Sequence, residues 1–80
     1  MSTPQTRDNL DLASTAREVA DQAPAGSLEK AVAGSVAVTC ATTRTFEEAR
    51  DVLGGIHPVE VRKPAIEFLE RLAVGGDARP

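Results

Sequence analysis

Few side chains in this sequence are equipped for chemistry. Cys40 is the single cysteine and His57 the single histidine, so they form the one combination that could act as a thiol nucleophile with its base, one of the carboxylates serving as third member. Two observations weigh against that role. A solitary cysteine ordinarily packs as a small hydrophobe, and a histidine directly before a proline, as His57 is before Pro58, belongs to a turn or to the start of a helix. One cysteine and one histidine would also leave any metal to scattered carboxylates. We therefore expect no catalytic, cofactor or metal site, and a chain that is not an enzyme.

Ser27 is the next candidate. An acidic helical chain of this length invites comparison with acyl and peptidyl carriers, which bear a prosthetic arm on a serine at a helix start. Gly26-Ser27-Leu28 would be that place. The surroundings differ from theirs, since carriers have Asp or a glycine-rich context before the serine and here Ala25-Gly26 follows Pro24. Ser27 reads instead as an ordinary helix N-cap.

The formal net charge is −3, from nine basic and twelve acidic residues, which disfavours the phosphate attraction behind non-specific nucleic-acid affinity. Arg62 and Lys63 are a local basic pair, but Glu60 and Glu67 lie close by and the four read as a self-paired, solvated face. The alternative reading is a DNA-binding helix-turn-helix over Thr45 to Val74. In such domains an alanine precedes the turn glycine by four positions. Here Ala49 precedes Gly54 by five, a second glycine lengthens the turn, and Pro64 falls inside the would-be recognition helix.

A single cysteine excludes an intrachain disulfide, and the N-terminus does not resemble a signal peptide. The longest uncharged run, Ala31 to Thr43, is too short and too polar for a bilayer that needs about 20 apolar residues. The expected location is the cytoplasm. Abundant alanine, with arginine well ahead of lysine, suits a GC-rich bacterial genome.

The elements that must position these residues centre on Thr45 to Val74. Thr45 followed by Glu48 is a capping box, predicted to satisfy the free N–H groups at both the cap and the third helical position. Gly54-Gly55 then stops a helix over 46–53, by the left-handed conformation that glycine adopts at little cost. The final helix is predicted over 64–74, with Pro64 in its first turn, Ala65, Ile66, Leu69, Leu72 and Ala73 inward, and a Glu67–Arg71 ion pair on its surface. Upstream, a helix over 4–22 carries a stripe of Leu12, Ala16, Val19, Ala20 and Ala23, widened by Leu10 and Ala13, and ends before Pro24. Thr3 before Pro4 is its expected cap.

Residues 27–43 support two readings. As a helix, Ser27 is the cap and Leu28, Val32, Val36, Thr39 and Cys40 share a face that other elements must largely cover. As a strand, 35–43 alternates Val36, Val38 and Cys40 against Ala37, Thr39 and Ala41, and pairs with a second strand over 56–63, where Val59 and Val61 alternate with Pro58 and Glu60. The first reading makes an all-α bundle of three to four helices, which we favour, and the second a small α+β fold. Either is a single small domain over 1–80, with flexible tails at 1–5 and 75–80.

Eighty residues bury only ~60–65% of the surface exposed by the unfolded chain. Two phenylalanines, with no tryptophan or tyrosine, make a thin core, and a homodimer is expected as a way to cover more. The function expected by elimination is a small helical protein–protein interaction module. Phe68 lies to the side of the final helix's stripe, so its surface is placed at Phe68, Glu67, Arg71 and Leu72, with aromatic anchor and polar rim together.

Overall fold

The computed structural model describes residues 8–74. Among these the chain forms four helices, α1 (Asn9–Gln22), α2 (Leu28–Thr42), α3 (Phe46–Leu53) and α4 (Val59–Ala73), and no strand. The fold is an all-α bundle, and both proposed strands are helical or loop. The Thr3–Pro4 start and the tails over 1–5 and 75–80 lie outside the described residues.

α1 starts later than the pattern suggested. Asp8 is extended (φ −79°, ψ 170°), and its carboxylate accepts from the Asp11 N–H at 2.9 Å, so it is the N-cap. Leu12, Ala13 and Ala16 are buried as expected, but Leu10 is 71% exposed. Asn9, one turn before Leu12, occupies the inward position instead and is itself buried.

Ala23 is extended (ψ 149°) directly before Pro24 and ends the helix. Pro24 has no N–H to offer the carbonyl of Ala20, its partner four residues back. That oxygen accepts instead from the ammonium of Lys30 at 2.7 Å, with a longer bond from the Ala23 N–H at 3.3 Å. A side chain of α2 thus satisfies the end of α1, where the helix dipole also favours a cation. Gly26, at φ +81°, completes the turn between them.

Ser27 caps α2 through a hydrogen bond from the Lys30 N–H at 3.1 Å. The strand reading fails here for a visible reason. It required Val36, Val38 and Cys40 on one face, whereas Val36 and Cys40 are fully buried and Val38 is 66% exposed. Burial of Val32, Ala33, Val36, Thr39 and Cys40 follows the helical period. α2 packs against all three other helices. Its cover is nonetheless incomplete, because Ala31, Val38, Ala41 and Thr42 remain exposed.

Thr45 caps α3, accepting from the Glu48 N–H at 3.1 Å. The reciprocal bond is displaced by one residue from the expected capping box, as the Glu48 carboxylate accepts from the Arg44 N–H at 2.9 Å. The stop also differs. Gly54 is right-handed (φ −68°, ψ −11°), and Gly26 is the one residue with positive φ among those described. α3 tapers through bonds from Gly54 to Arg50 and Asp51 and from Gly55 to Val52, all near 3 Å, with no left-handed glycine.

α4 begins at Val59, one turn and more before Pro64, which lies inside the helix. The alternation of Val59 and Val61 was coincidental. Val61 is buried and opens the stripe Val61, Ala65, Leu69, Leu72, while Val59 is exposed. Burial of that continuous stripe outweighs the hydrogen bond lost at Pro64, whose missing N–H would have reached the Glu60 carbonyl. The core is aliphatic throughout, with Leu12, Val36, Leu53 and Leu69 fully buried, and Phe46 and Phe68 packed at its edge.

Candidate interaction surface

The structure separates the residues considered for chemistry. Cys40 faces the core with no exposed surface, whereas His57 is exposed and borders a surface groove with Gly34, Ser35, Val38, Thr39 and Ile56. A nucleophile and base need hydrogen-bond reach and access for a substrate, and Cys40 has no access. Burial pushes its thiol up from the ordinary value, which disfavours the reactive thiolate. Ser27 is equally committed: its hydroxyl donates to the Pro24 carbonyl at 2.8 Å while capping α2. Among the described residues no three His, Cys, Asp or Glu side chains converge to hold a metal ion.

Cys40 offers a check on this packing. A thiol whose folded value is raised stabilises the fold fully below its unfolded value, near ~8.5, and loses that contribution as pH climbs towards the folded value. Stability of the natural chain is therefore expected to fall more steeply above about pH 8.5 than that of Cys40→Ala, as followed by urea midpoints. In the same samples a disulfide reagent should label Cys40 only on unfolding, and rapid labelling at neutral pH would contradict the burial.

The four residues placed on the interaction surface divide. Phe68, Glu67 and Arg71 line one groove of about 210 Å³, together with Val19 of α1, Leu28, Glu29 and Val32 of α2, and Pro64 of α4. Leu72 is not part of its wall; it is buried, one turn beyond Phe68, in the core beneath. Phe68 is half-buried with part of its ring packed on that core. Leu28, expected inside, is exposed and borders the same groove. The floor is aliphatic and aromatic, and the rim carries Glu29 and Glu67 against Arg71.

The ion pair expected between Glu67 and Arg71 is not formed. Among the described residues α4 pairs instead through Glu70, whose carboxylate accepts from Arg50 Nε of α3 at 3.0 Å. Both partners are about half exposed, so the bridge contributes only ~0.2–1 kcal/mol, and it leaves Arg71 and Glu67 to the groove. Arg62 is tied down as well, donating from Nε to the Ile56 carbonyl at 2.7 Å. The expected self-pairing of Arg62 and Lys63 with Glu60 and Glu67 is not formed either: Arg62 turns to the backbone and Lys63 stands exposed.

Asn9 had no signal in the apolar pattern. Its Nδ2 donates to Thr43 Oγ1 at 2.9 Å and to the Thr45 carbonyl at 3.0 Å, and Thr43 Oγ1 in turn donates to the Thr39 carbonyl at 2.7 Å. It fastens the start of α1 to the link between α2 and α3. The only available hint was an amide side chain one turn before a core leucine.

No family model, no curated protein and no solved structure matches this chain.

Proposed function

We propose that this protein is a protein–protein interaction module with no catalysis of its own, acting as a homodimer in a bacterial cytoplasm and offering the groove at Phe68 to an apolar segment of a partner. Phe68 and Leu28 form the apolar seat, Glu67 and Arg71 the polar rim, and Leu72 the support beneath. The observation that carries this reading is the convergence of incompletely buried apolar side chains from three helices on one concavity edged by charge. Apolar centre and polar rim are the anatomy of protein interfaces.

Pro64 adds to it. A proline in a helix interior costs about 3 kcal/mol or more, and here it lines the groove; residues that break a local rule tend to do so at functional positions. DNA binding, the alternative, gains nothing comparable, since Arg50 and Arg62 are held by Glu70 and the Ile56 carbonyl. The carrier reading loses its serine to the α2 cap. No helix among the described residues is long and apolar enough to cross a membrane.

Cross-linking tests the groove. With Leu28 replaced by a diazirine amino acid, irradiation in cells should yield an adduct with a partner protein that is absent when the same group stands at Glu18, which does not line the groove, and that is lost with Phe68→Ala. Phe68→Ala should itself cost about 1.5 kcal/mol, less than the ~3–5 kcal/mol of a fully buried Phe. No adduct above the Glu18 control, or a full core penalty with adduct formation unchanged in the folded variant, would reject the groove as a binding surface.

A further inference from the structure

On the opposite side of α2 from the Phe68 groove, α2 keeps a strip without a single charge from Ala31 to Thr43. Val38, 66% exposed, stands on this strip as a ridge between two grooves. One, about 510 Å³, is walled by Leu10, Ala13, Ser14, Arg17 and Ala20 of α1 and by Gly34, Ala37 and Ala41 of α2. The other, also about 510 Å³, runs past Gly34, Thr39, Ile56 and His57. Leu10, 71% exposed, adds a second apolar projection at the rim. The molecule is 18 Å along its shortest axis, about the thickness of two packed helices, and none of the described residues forms a further layer above the strip.

We infer that this face is the two-fold interface of the homodimer, with the Val38 ridge of each copy seated in the α1/α2 groove of the other. The inference rests on the homodimer proposed above and assigns its surface. Three features select a second copy as occupant. An isologous contact needs a projection and a matching recess on the same patch, and Val38 and the groove beside it supply both. The strip on α2 carries no charge and Arg17 is the single charged residue lining the α1/α2 groove, whereas Glu29, Glu67 and Arg71 all line the Phe68 groove. The extent also fits. Two helices of about 22 Å, packed at about 9 Å, present roughly 500 Å² per copy. The resulting ~1,000 Å² in total is about the least that a specific interface needs. The dimer is accordingly weak, forming in the micromolar range.

Sedimentation equilibrium on the full chain tests this with three variants. A Cβ at Gly34 would meet nothing within 4 Å, so Gly34→Leu fills the groove while leaving the monomer folded, and Val38→Glu places a charge on the ridge in open solvent. The natural chain should pass from monomer to dimer between about 10 μM and 1 mM, as expected for the weak end of the size range. Val38→Glu and Gly34→Leu should each weaken association at least tenfold with helical circular dichroism unchanged, and Phe68→Ala should associate as the natural chain does. If Val38→Glu and Gly34→Leu still dimerise normally, the interface lies elsewhere, and loss of the dimer in Phe68→Ala alone would assign it to the other groove. A monomer at every concentration overturns the homodimer itself, and this surface with it.

Discussion

Leu53→Ala is expected to lower stability by about 3 kcal/mol and to release α3 from the bundle. α3 has eight residues, far below the ~12–15 at which an isolated helix becomes even marginal in water. It persists because Leu53 and Ala49 are fully buried and Phe46 packs beside them. Leu53 is the only large side chain of α3 that is completely covered, and the half-exposed Arg50–Glu70 bridge cannot replace it. At ~0.05–0.15 kcal/mol per residue the whole domain holds roughly 4–12 kcal/mol, so this loss should lower Tm by roughly 12–24 °C. Thermal and urea melts by circular dichroism would measure it. A change within about 0.5 kcal/mol, the size of a typical surface effect, would mean that α3 is held by something other than Leu53.

Asn9→Ala is expected to cost about 2–2.5 kcal/mol, an unusual amount for an amide at the first position of a helix. Two donated hydrogen bonds disappear from a position only 5% exposed, and Thr43 Oγ1, which still donates to Thr39, is left without its own donor. A partly buried acceptor deprived of its partner carries part of the desolvation cost that the bond had offset. The network origin of the effect can be isolated with Thr43→Val. Alone, each variant should destabilise; together they should cost less than the sum, since each removes the same bond. Strict additivity would show that the Asn9–Thr43 bond contributes nothing to stability.

The sequence was most readable where a polar side chain and its backbone partner lie three residues apart. Ser27 and Thr45 cap the helices they were expected to cap, because the geometry of an N-cap is local and no tertiary contact is needed to form it. Fold class was readable from the agreement of those caps with apolar spacing. Legibility failed where tertiary burial overrode local preference. Pro64 is a helix-start signal in isolation, yet the buried stripe beginning at Val61 draws the start of α4 back to Val59. Gly54 was expected to be left-handed, but a tapering turn satisfies the same carbonyls. Leu10, expected on the inner stripe, is exposed, and Asn9 takes the inward position because the hydrogen-bonding demand of the α2–α3 link, invisible in α1, is met by the amide.

The placement of Phe68 and its neighbours was partly readable for the same reason. Phe68, Glu67 and Arg71 do share one groove, as spacing on a single helix predicts, but its other wall is built by Val19, Leu28 and Val32 from distant parts of the chain. Leu72 lies one turn from Phe68 on the helix, and only the packing of α4 on the bundle decides that it points inward.

Pro64 also divides α4 in time. A helix opens by fraying from its ends, each broken hydrogen bond exposing the next, and an interrupted ladder limits how far that opening runs. With no N–H at Pro64, the Glu60 carbonyl has no ladder bond to pass on, and the turn from Val59 to Lys63 is held to the bundle by the burial of Val61 more than by the ladder that secures 65–73. Amide protons of Arg62 and Lys63 are therefore expected to exchange with solvent faster than those of Leu69 and Leu72. Pro64, which lines the groove, thus marks the boundary, with Phe68 and Arg71 on the side expected to exchange slowly.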